Sequence, residues 1–179
     1  MIYALCLAVM VNILSLTAPV SARQPRVRAD VKDPGGVDIG SVFFTQTEKG
    51  VRLNISLIGM PPGNYAIHIH ENGSCIPPDF TSAGAHFNPS GKEHGFMNPE
   101  GAHAGDLPNI TVDEGGSCTA EFTTDLLTLE KAKNNSLLKE GKTAIVIHKN
   151  PDDYVSDPAG SAGDRLACGV IEEENEPGP

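Results

Sequence analysis

Residues 72–109 are rich in Gly, Pro, Asn and His and carry neither the 3.6-residue period of a helix nor the two-residue alternation of a strand. A stretch this long inside a compact domain is either functional or disordered, so the fold has to order it from outside. The segments around it alternate. Val42-Phe43-Phe44-Thr45, the turn Glu48-Lys49-Gly50 and residues 51–57, apolar at every second position, predict a hairpin. After Pro61-Pro62-Gly63 a strand is predicted over 65–71, with Ile67 and Ile69 on one face and His68 and His70 on the other. A second hairpin is expected from 110–113 and 118–123 around Glu114-Gly115-Gly116, a strand over 143–148, an irregular loop over 149–164 and a last strand over 167–171. Residues 126–138 read as a short helix or an irregular turn. The 19 Gly and 14 Pro favour many short elements joined by turns, and the class is all-β.

One domain is expected, spanning residues 39–171, with a variable lead-in at 23–38 and an acidic flexible tail at 172–179. Residues 2–18 are almost wholly apolar and lead to the small residues Val20-Ser21-Ala22, so residues 1–22 read as a removed secretory signal. The alternative, an uncleaved anchor, fits less well because the apolar stretch falls short of the roughly 20 residues of a full span. No membrane contact is expected after signal removal, and the location is secreted, extracellular or periplasmic. The mature chain keeps Cys75, Cys118 and Cys168, of which export favours pairing two. Sequons begin at Asn54, Asn72, Asn109 and Asn134 and matter only in a eukaryotic secretory pathway. A formal net charge of −10 argues against nucleic acid as a partner.

The six histidines constrain the chemistry. His68 and His70 leave one face of a strand about 7 Å apart, a distance one metal ion can bridge. Alternating histidines can equally be a solvated face. His86, His94 and His103, followed by Asp106, all fall in the long aperiodic segment, and three imidazoles with one carboxylate form a tetrahedral set of the kind zinc accepts. The bland reading is a flexible polar loop with surface histidines. His148 lies on the face of its strand away from Ile145 and Ile147; if its strand neighbours that of His68 and His70, three imidazoles converge, and an all-nitrogen site suits copper.

His68-Ile69-His70, Gly84-Ala85-His86-Phe87-Asn88-Pro89, the spacings of eight to His94, nine to His103 and three to Asp106, then His148 and Gly163-Asp164-Arg165-Leu166-Ala167-Cys168-Gly169-Val170-Ile171 resemble the copper/zinc superoxide dismutase family, from about Ile39 to Ile171. The short segment between His70 and Cys75 is similar to exported bacterial-type members. The resemblance implies a Greek-key β-barrel or sandwich of about eight antiparallel strands with two long functional loops. It assigns one copper per subunit to His68, His70, His86 and His148, and one zinc to His86, His94, His103 and Asp106. His86 is then shared, because an imidazole has two nitrogens. Asp152 would accept hydrogen bonds from His68 and His94, with Asp153 a competitor for the position. Cys75 and Cys168 would form the disulfide, and Cys118 would stay unpaired and buried.

By the same resemblance superoxide is the substrate, disproportionated to dioxygen and hydrogen peroxide by alternate reduction and oxidation of the copper. Arg165 would anchor the anion and His86 would carry a proton; the bland role for Arg165 is a surface pair with Asp164. A homodimer and a copper donor protein are the further partners the family admits. The charge departs from the family pattern: residues 149–164 hold only Lys149 against Asp152, Asp153, Asp157 and Asp164, so weak electrostatic steering is expected. Two other readings compete. A non-catalytic metal-binding module or copper-chaperone decoy would keep the ligands without turnover, and an adhesion domain on the same scaffold would leave a complete ligand set unexplained.

Overall fold

The computed structural model describes residues 26–174; the segment read as a signal, and residues 175–179 of the acidic tail, lie outside that range. Among the described residues nine strands account for nearly all regular structure: β1 Val27–Lys32, β2 Asp38–Thr47, β3 Gly50–Ile58, β4 Gly63–Tyr65, β5 Ile67–His70, β6 Ile110–Val112, β7 Ser117–Thr124, β8 Thr143–His148 and β9 Arg165–Glu173. Seven form one antiparallel sheet in the order β5-β8-β9-β1-β2-β3-β7, and β4 pairs with β6. Strands distant in sequence lie side by side in it, β5 with β8 and β9 with β1, as Greek-key crossovers require.

Alternation decides which face is inside. Val27, Ala29 and Val31 of β1, Val42 and Phe44 of β2, Val51, Leu53, Ile55 and Leu57 of β3, and Ile145 and Ile147 of β8 belong to one buried cluster. Each fully buried Leu or Ile contributes about 1.5–3 kcal/mol by leaving water. Tyr65, Ile110 and Val112 join the same cluster from β4 and β6, and β4 is separated from β5 by Ala66 alone. The short pair therefore lies between the two ends of the long ladder and curls it into a barrel, which protects edges that would otherwise be unpaired. A smaller cluster, Phe80, Ala83, Ala144, Val146 and Cys168, lies outside the barrel, where the Cys75–Cys168 disulfide pins the segment around Phe80.

Several expectations are corrected here. The lead-in contains β1, and its ladders with β2 and β9 make it an interior strand of the sheet, so the folded unit begins before residue 39. The strand expected over 65–71 is interrupted at Ala66, whose C=O accepts the His148 N–H at 2.9 Å. The hairpin expected around 114–116 keeps its turn, with the Asp113 N–H donating to the Ser117 C=O at 2.8 Å, but its arms diverge. β6 pairs with β4, while β7 follows β3 from Val51 to Ile58. Residues 126–138 form irregular turns, fastened where the Thr128 hydroxyl and Leu129 N–H donate to Gln46 Oε1 at 3.0 and 2.8 Å. β9 continues through Glu172 and Glu173 of the expected tail. Cys118 is unpaired and buried, as expected.

If β1 is an interior strand, the amides of residues 27–32 exchange with deuterium as slowly as those of β2. Exchange at the rate of an exposed segment, read by mass spectrometry of the native protein, would contradict this placement.

Candidate metal centre

Ile67 and Ile69 of β5 point into the barrel, so His68 and His70 leave on its outer face, and β8 delivers His148 to the same side. These histidines are nevertheless buried, which removes the solvated-face reading: the long loops cover them. The β8–β9 ladder shifts register between Ile147 and His148. Ile147 faces Ala167 while His148 faces Arg165, so Leu166 is the extra residue of a bulge. Without it His148 would oppose Leu166, a side chain packed on the core; with it Arg165 shares the outer face with His148.

The long segment is tied onto β5. Ile69 donates its N–H to Gly105 O and accepts from the Phe87 N–H, both at 2.8 Å, and the Gly105 N–H donates to Phe87 O at 2.9 Å. A Cβ on residue 105 would lie 2.2 Å from Ile69 O, so only glycine lets the backbones approach this closely. Phe87 enters the core and His86 turns outward beside His70.

Two donor sets result. His68, His70, His86 and His148 bring ring nitrogens within 4.8 Å of one another, and so do the donor atoms of His86, His94, His103 and Asp106. In the first set each ring has a fixed outward acceptor. His68 Nε2 donates to Asp152 Oδ2 at 2.8 Å, His70 Nδ1 to Gly84 O at 2.9 Å, His86 Nδ1 to Asp106 Oδ1 at 2.9 Å and His148 Nδ1 to Gly163 O at 3.2 Å. With those protons outward, four lone pairs point inward. His68 Nδ1 and His86 Nε2 are buried without any partner, and His70 Nε2 meets His148 Nε2 at 3.3 Å. Two lone pairs at that distance repel, and a cation between the four rings removes the conflict. In the second set the Nδ1 atoms of His86, His94 and His103 lie 2.9, 3.1 and 3.3 Å from Asp106 Oδ1. Tetrahedral zinc with bonds of about 2.0–2.1 Å has donor–donor edges of about 3.3–3.4 Å, so the set is close to that size.

Charge follows the same division. Burial lowers His70 well below the usual imidazole range. Burial also brings His86 down to about 4, against the pull of Asp106, and His148 to about 3, with His68 adding to the effect. These rings are neutral at pH 7 and offer their lone pairs. His94 is different: burial works against its charged form, but hydrogen bonds to Asp106 and Asp152 outweigh it and raise His94 to about 9. Burial likewise disfavours the ionised Asp106 and Asp152. Hydrogen bonds from His103, His86 and His94 hold Asp106 far below the carboxylate range, and those from His68 and His94 do the same for Asp152.

Asp152, rather than its competitor Asp153, spans the two sets: Oδ2 accepts from His68 and Oδ1 from His94 Nε2 at 3.0 Å. Asp153 instead closes a turn with Val155 and Ser156. Gly160, at φ +61°, makes room, since a Cβ there would sit 1.8 Å from Asp152 Oδ1. Arg165 donates through its two terminal nitrogens to Phe80 O at 2.6 Å and Gly84 O at 2.7 Å, and Lys149 rather than Arg165 approaches Asp164.

The comparisons agree with this geometry. Residues 39–171 match the family described as copper/zinc superoxide dismutase. Over 151 residues the chain is 50% identical to a protein named Cu-Zn superoxide dismutase 1 of Aquifex aeolicus, covering 84% of this chain and 89% of that one. The chain belongs to the copper/zinc superoxide dismutase family. Among solved structures, a SOD-like protein from Bacillus subtilis is 37% identical with a TM-score of 0.78, covering 81% of this chain and 97% of that one. The Cu/Zn superoxide dismutase from Brucella abortus is 27% identical with a TM-score of 0.67, covering 81% and 98%. Of the residues singled out by the resemblance to superoxide dismutases, His68, His70, His86, His94, His103, Asp106, His148, Asp152 and Arg165 are brought together here, while Cys75 and Cys168 pair in the neighbouring cluster. The carbonyls of Phe80 and Gly84, the opening at Gly160 and the contacts of Asn109 described below carried no sequence signal of their own.

His94 sets a pH dependence. If zinc takes His94 Nδ1, that nitrogen, protonated at neutral pH in the metal-free protein, must first lose its proton to solvent, so zinc binding at pH 7 releases a proton and apparent affinity rises about tenfold per pH unit towards pH 9. Calorimetry in buffers of different ionisation heat reads this number; no proton release at pH 7 would contradict the charged His94.

Proposed function

We propose that this chain disproportionates superoxide, 2 O₂•⁻ + 2 H⁺ → O₂ + H₂O₂, at a copper held by His68, His70, His86 and His148 beside a zinc held by His86, His94, His103 and Asp106. The observation that carries the reading is the ring of inward lone pairs, two of them orphaned, with His86 common to both sets. When bound, copper supplies reversible one-electron chemistry and zinc supplies a fixed charge on the far side of His86. The protein residues do the rest. The Arg165 guanidinium is pre-set by the two carbonyls that hold it and, although burial lowers its proton affinity, it remains cationic and can orient a small anion beside His148. The Cys75–Cys168 bond holds the segment that provides those carbonyls. His86 is the proton carrier: its Nδ1 is committed to the zinc side, and its Nε2, with no protein partner, is free to take up a proton and return it to reduced dioxygen. An exported location fits the disulfide, which persists in oxidising compartments.

Attraction of the substrate is weak in this account. The net charge is −10, and Lys149, the only Lys of its loop, lies 3.8 Å from Asp164. Rates should therefore fall little as salt rises from low to physiological ionic strength; a steep fall would require a strong local positive field.

The direct test is superoxide decay, followed by stopped flow, with protein reconstituted with copper and zinc. Accelerated decay is expected, His148→Ala should abolish it, and Arg165→Ala should lower the rate about 10–100-fold, as loss of hydrogen bonds to a charged group implies. Decay no faster than in buffer would overturn the reading. Full metal binding without turnover would make the chain a metal-binding relative instead.

A further inference from the structure

Asp152 lies under both donor sets, in residues 149–164, which contain no strand. Its main chain is held by one side chain from elsewhere. Asn109 Nδ2 donates to Asp152 O at 2.9 Å, and Asn109 Oδ1 accepts the Asp152 N–H at 2.8 Å, so a single amide satisfies both backbone groups of that residue. The N–H of Asn109 donates to Tyr154 Oη at 2.8 Å, and the Tyr154 N–H donates to Asp152 Oδ1 at 2.7 Å, which closes a ring of contacts around the carboxylate.

Asn109 immediately precedes β6, whose Ile110 is buried in the barrel core and paired with Tyr65 of β4. It therefore connects the rigid barrel to a loop that follows 43 residues later. We propose that Asn109 is a positioning residue that fixes the Asp152 carboxylate and, through it, the rings of His68 and His94. An amide is suited to this because it presents a donor and an acceptor side by side; Asp lacks the donor and Ala lacks both. The sequon at Asn109 then has a different meaning, since its side-chain nitrogen is already committed within the fold. Outer contacts of this kind tune metal affinity by orienting the ligands themselves.

This rests on the zinc assignment made above, and the experiment separates the two. Zinc alone is titrated into the copper-free, disulfide-intact protein against a chromophoric chelator, for the wild type, Asn109→Asp, Asn109→Ala, Asp152→Ala and the Asn109→Ala/Asp152→Ala pair. Each single variant is expected to weaken zinc binding about 10–100-fold. The double variant is expected to bind no more weakly than Asp152→Ala, because the effect of Asn109 passes through Asp152. Asn109→Asp keeps the side-chain shape, so it carries the test if the Ala variant does not fold. Affinities within about twofold of wild type in the folded Asn109 variants, or multiplying losses in the pair, would overturn the role of Asn109. A wild-type protein that takes up no zinc would overturn the zinc assignment instead.

Discussion

One buried imidazole, His86, faces two donor sets at once, and the rest of the centre is arranged around that constraint. Its Nδ1 is bound to Asp106, its Nε2 has no protein partner, and burial keeps the ring neutral. A ring in that position requires the long loop to run back along the outer face of β5, and the close passage of Gly105 over Ile69 O makes that path possible. The barrel beneath supplies rigidity: Ile67, Ile69, Ile145 and Ile147 hold β5 and β8 in register, so three histidines leave the sheet in fixed directions.

The electrostatics support the same layout. The carboxylates Asp106 and Asp152 each gather two or more imidazole nitrogens and stay ionised in spite of burial, because the hydrogen bonds to their charged form exceed the desolvation cost. The neutral rings of His70, His86 and His148 then face the copper-type set, while the protonated ring of His94 lies between the two carboxylates. Two ionised carboxylates against one protonated ring leave the site negative before any metal is considered, which favours a cation there.

Much of this was legible in the sequence because the determinants are local. Alternation along a strand places His68 and His70 together, and four donors confined to one aperiodic segment already imply something that orders it. What was missed depends on contacts between distant residues. Val27, Ala29 and Val31 alternate within the segment read as a lead-in, but only its ladders with β2 and β9 make it a strand of the sheet. The turn at 114–116 was visible, but no local signal tells that β6 leaves β7 for β4. Arg165 reaches the outer face through a one-residue bulge at Leu166, which alternation alone would not place. Asn109 carried a sequon, and its contacts with Asp152 span two loops.

The central claim is that His86 joins two cations through one ring. The most direct measurement is electron paramagnetic resonance of protein loaded with copper(II) at both sites. A shared imidazolate couples the two spins antiferromagnetically, so the account predicts near-complete loss of signal at low temperature. Two independent copper signals integrating to the full spin count would contradict it.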